Sequence, residues 1–143
     1  MPPQLFFIAL IGEIAVALGV RGGALVPSPW NLSGIALIVV GMVLASGGSQ
    51  QFARVGTEIS PLGTPSQLVT DGVFRWSRNP MYLGMVVLLL GVAIGLGNIW
   101  SFAFPPLLGL LLDRRVVRME EAKMAGLFGE DYERYRGRVR RWI

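Results

Sequence analysis

The sequence predicts an all-α integral membrane protein with about four transmembrane helices and a cytoplasmic amphipathic C-terminal helix. Of its 143 residues, 52% are hydrophobic and only 15% are charged, whereas a soluble domain carries about 25% charged residues. The mean hydropathy is +0.55. Apolar runs alternate with short connections, and the charged residues gather between and after these runs. The length fits one membrane domain that spans residues 1–143.

Four apolar segments give the predicted spans, at about 4–20, 32–47, 81–97 and 99–112. Short spans are accommodated by local thinning of the bilayer. The first segment lacks a basic N-terminal region, so we interpret it as a retained helix and not as a signal peptide. Pro105 and Pro106 lie inside the fourth segment and predict a kink, because each proline removes a backbone donor.

The two polar segments are predicted to lie outside the bilayer. Residues 49–79 form a loop with a short amphipathic helix near residues 50–55, and residues 113–143 form the C-terminal helix. In the latter, aromatic and apolar side chains recur at helical spacing, which predicts one apolar stripe. The residues of this stripe are Phe128, Tyr132, Tyr135, Val139 and Trp142.

The distribution of basic residues predicts the orientation. With four spans, Arg21 lies on one side of the membrane and the other twelve of the thirteen Lys and Arg residues lie on the opposite side. Basic loops face the cytoplasm, so both termini are predicted to be cytoplasmic.

The composition limits the chemistry. The chain has no Cys and no His, which excludes disulfides, thiolate nucleophiles and the usual zinc sites. We therefore expect no metal and no nucleic-acid partner. Catalysis must rest on carboxylates, Arg, Tyr, backbone groups or an imported cofactor.

The first candidate site lies at the start of the third span. Asn79 followed by Pro80 predicts a helix N-cap and first helical position, where free N–H groups and the helix dipole favour an anion. Arg75 and Arg78 add positive charge, and Tyr82 lies just inside the span. The alternative is an ordinary capped helix with snorkelling arginines and an interfacial Tyr.

Two further groups are candidates. Glu120 and Glu121 follow the fourth span, and adjacent carboxylates on a helix should point in different directions. We expect one to point inward and the other to pair with Arg118 or Lys123; the alternative is a solvated, salt-bridged face. Glu13 is an ionisable residue within the first span, functional or structural, and is left unassigned.

These motifs together resemble the isoprenylcysteine carboxyl methyltransferase and phospholipid methyltransferase superfamily, in the form of its small prokaryotic members. The motifs occur in the same order in this chain and run from about residue 47 to the end. They are Phe52-Ala53-Arg54-Val55-Gly56-Thr57, Leu68-Val69-Thr70-Asp71-Gly72, Arg78-Asn79-Pro80-Met81-Tyr82-Leu83-Gly84, Glu120-Glu121, Phe128-Gly129-Glu130-Asp131-Tyr132 with Tyr135, and Arg138-Val139-Arg140-Arg141-Trp142-Ile143.

The resemblance implies a methyltransferase that uses S-adenosyl-L-methionine, bound at the cytoplasmic ends of the last two spans and capped by the C-terminal segment. It also implies a bacterial or archaeal inner membrane. Tyr82 and Arg78 are candidates for positioning the reactants. The predicted cofactor-binding residues are Arg78, Asn79, Pro80, Tyr82, Leu83, Gly84, Glu120, Glu121, Tyr132 and Tyr135.

The expected acceptor is an amphipathic lipid or isoprenoid-like molecule that enters from the bilayer, with O, N or S as the accepting atom. Many members have His where this chain has Asn79. No Arg lies within the four spans, so a prenylcysteine carboxylate is not expected. The alternatives are an NADPH-dependent double-bond reductase of the sterol-reductase type, disfavoured by Met85 after the motif, and a non-catalytic scaffold.

Overall fold

The structure is a computed structural model that describes residues 2–56 and 65–143. The described residues form α-helices with short 3-10 and π-helical turns and contain no β-strand, which confirms the predicted all-α class. The middle of the predicted loop, residues 57–64, lies outside the described residues. The α-helices are α1 (Pro2–Gly19), α2 (Gly34–Val55), α3 (Pro80–Leu96), α4 (Phe104–Leu112) and α5 (Arg118–Arg138).

Two helical stretches of the described chain are long and apolar enough to cross a bilayer by themselves. They are Pro2–Gly19 and Trp30–Val55, the latter being α2 preceded by a 3-10 turn. Helix α3 is apolar but has 17 residues. The predicted fourth span comprises a 3-10 turn (Ile99–Ala103) and the nine residues of α4. Four spans therefore remain a prediction, with two candidates supported by helix length.

Helix α2 extends further than predicted. Residues 50–55 are not a separate amphipathic helix but the last turns of α2, which ends at Gly56 in the left-handed conformation (φ 69°). The polar residues before this point include no proline, so the backbone ladder continues through them. This extension brings Phe52 into a buried position at the end of α2.

Glycines bring α2 and α3 into close contact. A Cβ atom on Gly84 would lie 2.6 Å from the carbonyl oxygen of Gly41, and one on Gly91 would lie 2.7 Å from the carbonyl oxygen of Gly34. Such small residues let the backbones of membrane helices approach closely. The pairing is antiparallel, so the end of α2 and the start of α3 lie at the same end of the molecule.

The prolines of the fourth segment do not kink a helix interior, and that prediction was wrong. Pro105 and Pro106 lie in the first turn of α4, where an N–H would have no intrahelical partner and proline is tolerated. The irregular backbone is the preceding 3-10 turn at Ile99–Ala103.

The C-terminal segment differs from the single predicted helix. A π-helical turn (Asp113–Val117) joins α4 directly to α5, α5 is kinked at Gly129 (φ 49°, ψ −122°), and the chain becomes extended at Val139 (φ −120°, ψ 130°). Four residues of the predicted stripe, Phe128, Tyr132, Tyr135 and Val139, nevertheless pack into one cluster. Tyr132 and Tyr135 are buried together, but Trp142 lies beyond the helix and packs against a different cluster.

The end of the molecule opposite to the start of α3 is held together by Asn98. Its amide donates to the carbonyl oxygens of Ala17 (3.4 Å) and Val20 (3.0 Å), and its side-chain oxygen accepts from the N–H of Trp100. Glu13 is fully buried in α1, and its carboxyl oxygens have no hydrogen-bond partner in the described part of the chain. Its role stays unassigned.

Candidate functional site

A cavity of about 70 Å³ lies where the end of α2, the start of α3 and α5 meet. Its wall contains eight of the predicted site residues, brought together from positions far apart in the sequence. These eight are Arg78, Asn79, Pro80, Tyr82, Glu120, Glu121, Tyr132 and Tyr135. The remaining lining residues are Phe52, Leu68, Val69, Phe74, Met81 and Met124.

Two predicted site residues lie elsewhere. Gly84 faces α2, where its Cβ position is occupied by the backbone of Gly41 and Ala45. Leu83 lines a different groove on the outer side of α3. Helical geometry explains both positions. The side chains one and two residues after Tyr82 point about 100° and 200° away from it, and therefore away from the cavity.

Glu121 is the centre of an ion-pair network. One of its oxygens lies 2.8 Å from Arg78 Nη2, and the other lies 2.6 Å from Arg141 Nη2. The side chains of Arg78 and Glu121 are only 9% and 12% exposed. Arg78 also donates to the carbonyl oxygen of Arg136, while its Nε lacks a partner among the described residues.

Glu120 makes a separate contact on the same wall. It accepts a 2.6 Å hydrogen bond from the hydroxyl of Tyr82. Burial raises the pKa of the Glu120 carboxyl, and this effect exceeds the opposing influence of the Tyr82 hydrogen bond and the Lys123 charge. This carboxyl therefore takes up a proton more readily than an exposed glutamate does.

Both glutamates therefore reach the cavity wall, whereas only one was expected to point inward. The expected pairing of the other with an arginine is confirmed for Glu121, although its partners are Arg78 and Arg141 and not Arg118. Adjacent residues on a helix differ by about 100° in direction, but the cavity has partners in both directions. The hydroxyl of Tyr82 on α3 donates to Glu120, whereas the guanidinium groups of Arg78 and Arg141 donate to Glu121.

Aromatic residues form the opposite wall. The hydroxyl of Tyr135 donates to the carbonyl oxygen of Phe74 (2.7 Å), which connects α5 to the segment before α3. Phe52 and Phe74 are in edge-to-face contact with ring centroids 5.2 Å apart, and Tyr132 and Tyr135 are similarly arranged at 6.3 Å. Burial raises the pKa of both tyrosine hydroxyls, so both stay protonated at neutral pH.

The last residues of the chain cover the start of α3. The backbone carbonyl of Arg141 accepts from Asn79 Nδ2 (3.1 Å) and Ser77 Oγ (3.3 Å), and the carbonyl of Arg140 accepts from the N–H of Arg78 (3.0 Å). Asn79 does occupy the N-cap position of α3, but its side chain does not cap the helix. Its amide binds the C-terminal segment instead.

Asp113 completes the attachment of this segment and was not predicted as a site residue. Its carboxylate lies 3.1 Å from Arg141 Nη1 and accepts from the indole N–H of Trp142 (3.3 Å). Although burial acts in the opposite direction, these two contacts lower the pKa of Asp113 below its ordinary value. Arg141 thus bridges Asp113 and Glu121, a long-range contact that the spacing of residues did not indicate.

A second, more open groove of about 470 Å³ runs between α3 and α4. Apolar residues form most of its wall, and Asp113 and Trp142 lie at one end. Because Asp113 also binds Arg141, this end of the groove is connected to the ion-pair network of the cavity. The apolar residues are Leu83, Val86, Pro105, Pro106, Gly109 and Leu110.

Comparison with known proteins identifies the family. The sequence model of phospholipid methyltransferases matches residues 30–131, which include α2, α3, α4 and the glutamate pair. The chain belongs to the phospholipid methyltransferase family. This membership confirms the superfamily predicted from the motifs, and the chain is an integral membrane protein.

Relatives of this family member include protein-S-isoprenylcysteine O-methyltransferases. The protein from Schizosaccharomyces pombe is 31% identical over 115 residues, which are 78% of this chain and 48% of the relative. A probable protein-S-isoprenylcysteine O-methyltransferase of Oryza sativa is 28% identical over 115 residues, covering 77% of this chain and 60% of the relative. The chain thus spans about half the length of these curated relatives.

A solved structure shares the fold. The eukaryotic intramembrane Ras methyltransferase, an isoprenylcysteine carboxyl methyltransferase, superposes with a TM-score of 0.71 at 23% identity. The alignment covers 99% of this chain and 52% of the solved one. The helices described above therefore adopt the arrangement of the matching half of this solved structure.

Proposed function

We propose that this protein binds S-adenosyl-L-methionine in the cavity and transfers its methyl group to a lipophilic acceptor from the bilayer. The observation that carries the proposal is Arg78. Its guanidinium lines the cavity, is about nine-tenths buried, and has an Nε donor without a partner in the described chain. A buried, unsatisfied donor next to a helix N-terminus favours an anionic ligand group.

The residues of the cavity match the functional groups of this donor. Arg78 and the first turn of α3 would hold its carboxylate. Glu120 and Glu121 would hold its ammonium or ribose hydroxyls, and the faces of Tyr132 and Tyr135 suit its positive sulfonium. When bound, the donor supplies an activated methyl group, so the protein needs neither a metal nor a nucleophile of its own.

The cavity must open for the donor to enter. Ligand sites of this kind have volumes of about 300–1,000 Å³, whereas this cavity holds about 70 Å³. We propose that the C-terminal segment moves to admit the donor, because it follows the end of α5, covers the start of α3 and is attached there mainly by the polar contacts of Arg140, Arg141 and Trp142. Its return would exclude water and fix the reacting groups.

The acceptor is proposed to approach from the bilayer along the groove between α3 and α4. The groove is apolar over most of its length, and its polar end at Asp113 adjoins the cavity network. An amphipathic molecule could place its chain there and its head group near Arg141. The accepting atom is O, N or S, and we do not choose among these three.

The proposed membrane placement follows the distribution of charge. Helices α3 and α4 would supply two spans in addition to the two supported by helix length, and the cavity would lie at the cytoplasmic surface. Most basic residues then face the cytoplasm, as the positive-inside rule requires. Both termini would be cytoplasmic, in the inner membrane of a bacterium or archaeon.

Transfer of a labelled methyl group tests the proposal. Purified protein in lipid nanodiscs is incubated with S-adenosyl-L-[methyl-³H]methionine and a total lipid extract, and radioactivity is measured in the organic phase. We expect incorporation that depends on protein and is lost in Arg78→Ala, with Arg134→Gln as a control on the exposed face of α5. Equal incorporation by both variants would refute the role of Arg78, and none from the wild type would refute the activity with these acceptors.

A further inference from the structure

The outer face of α4 changes from apolar to basic at the π-helical turn. Leu107, Leu110 and Leu111 are exposed, as expected of side chains that face lipid, and Arg114 and Arg115 follow on the next turn, also exposed. Leu108, Leu112, Val116 and Val117 lie on the buried face instead. The two arginines therefore continue the lipid-facing side of α4.

The axial positions place these arginines at the depth of lipid head groups. With a rise of about 1.5 Å per residue, Arg114 and Arg115 lie roughly 5–6 Å beyond Leu111 along the helix. A phosphate next to both guanidinium groups would leave its acyl chains beside the exposed leucines. The apolar and the basic parts thus match the two parts of one phospholipid.

The two arginines also differ from three exposed arginines of α5 that are paired with carboxylates. Arg118 lies 3.4 Å from Asp113, Arg136 lies 3.3 Å from Glu133, and Arg134 is paired with Asp131. Within residues 2–56 and 65–143, no carboxylate lies within 4.0 Å of the side chain of Arg114 or Arg115, and neither guanidinium donates a hydrogen bond to the described residues. Their charge is available to a partner outside the chain.

We propose that this face binds an anionic phospholipid, with Arg114 and Arg115 holding the phosphate and the exposed Leu107, Leu110 and Leu111 contacting an acyl chain. Arginine binds phosphate oxygens strongly because its planar donors match them. The inference rests on the membrane placement of α4 given above but not on methyl transfer. The proposed lipid site lies on the exposed side of the π-helical turn (Asp113–Val117), and this turn leads directly into α5, which carries Glu120 and Glu121.

Native mass spectrometry of the full chain in detergent tests this proposal. The probes are phosphatidylglycerol and phosphatidylcholine with identical acyl chains. The test variant is Arg114→Gln/Arg115→Gln, and the matched control is Arg134→Gln/Arg136→Gln, which loses the same charge from paired positions. An attraction of about 1 kcal/mol per arginine predicts an affinity for phosphatidylglycerol about 25-fold lower in the test variant.

The other expected results separate recognition of a lipid from general attraction of charge. The control should bind within about two-fold of the wild type, and soluble glycerol phosphate should not compete. Arg114→Lys/Arg115→Lys should bind more tightly than the test variant but more weakly than the wild type, because lysine keeps the charge but not the planar donors. The proposal is overturned if test and control variants lose affinity equally, if phosphatidylcholine binds as well as phosphatidylglycerol, or if glycerol phosphate displaces the lipid. S-adenosylhomocysteine binding, measured on the same samples, reports on the methyl-donor site separately.

Discussion

Replacement of Glu121 by glutamine tests whether the ion-pair network holds the cavity together. Glu121 contacts Arg78 at 2.8 Å and Arg141 at 2.6 Å, and these contacts connect the start of α3, the first turn of α5 and the C-terminal segment. Glutamine keeps the shape of the side chain but not its charge. Two guanidinium groups would then face a neutral amide, and Arg78 would have no carboxylate partner within the described residues.

The burial of the partners determines the size of the effect. Removing one partner of a fully buried pair costs about 3–5 kcal/mol. Arg78 is 9% exposed and Glu121 is 12% exposed, but Arg141 is 31% exposed and keeps Asp113. We therefore expect a loss of about 2–3 kcal/mol in the free energy of unfolding. For a chain of this length, that corresponds to a decrease of about 6–10 °C in Tm.

Thermal unfolding in detergent, followed by tryptophan fluorescence, measures this decrease. The matched control is Glu133→Gln on the same helix, because Glu133 and Arg136 are more than half exposed and such pairs contribute at most about 0.5 kcal/mol. In an Arg78→Gln background, Glu121→Gln should cost at least about 1 kcal/mol less than in the wild type. Equal Tm changes in Glu121→Gln and Glu133→Gln would refute the reasoning.

Three further predictions concern the pH dependence of binding and the backbone. Burial raises the pKa of Glu120, so its ionised form becomes populated at a higher pH than in an exposed glutamate. Calorimetry should therefore show S-adenosylhomocysteine binding that still tightens as the pH rises above the ordinary glutamate range, and Glu120→Gln should remove this dependence. A pH-independent wild type would contradict it. Gly84→Ala should destabilise the fold by about 1–3 kcal/mol, because its Cβ would lie 2.6 Å from a carbonyl oxygen of α2. The control Gly126→Ala has open space around it and should stabilise α5 by up to about 1 kcal/mol. Denaturant titration measures both free energies of unfolding, and equal changes would exclude the close contact. Gly129→Ala should cost about 1–3 kcal/mol in the same assay because of its positive φ, and an effect no larger than that of Gly137→Ala would argue against the kink.

Local signals predicted much of the fold and of the site. Asn79 and Pro80 mark the start of α3, and Gly97 ends it in the left-handed conformation. The family motifs identified most of the cavity residues, because each motif is a short run that presents several side chains at one helix end. The sequence was therefore sufficient to predict helix ends and cavity residues whose signals lie in neighbouring positions.

Long-range contacts account for most of what was missed. No pattern places Asp113 next to Arg141 and Trp142, which lie almost thirty residues further along the chain. The side chain of Asn79 was expected to cap α3, but it binds the carbonyl of Arg141. Tertiary partners outcompeted the local choice in this case, as they often do for polar residues at helix ends.

Helix direction explains the remaining differences. Leu83 and Gly84 belong to the same motif as Tyr82 but face the outer groove and α2, so motif membership alone did not indicate which side chains meet the cavity. Glu120 and Glu121 both reach its wall because partners are present on α3 and on the C-terminal segment. Such partners are known only once the helices are packed.

Equilibrium binding of S-adenosylhomocysteine to the purified protein tests the central claim most directly. Isothermal titration calorimetry would compare the wild type with Glu120→Gln, Arg78→Ala and the control Glu133→Gln, each shown to be folded, with NADPH as a second ligand. The account predicts saturable binding by the wild type and the control, weaker binding by the two cavity variants, and none of NADPH. Binding of NADPH without S-adenosylhomocysteine, or unchanged binding in both cavity variants, would contradict it.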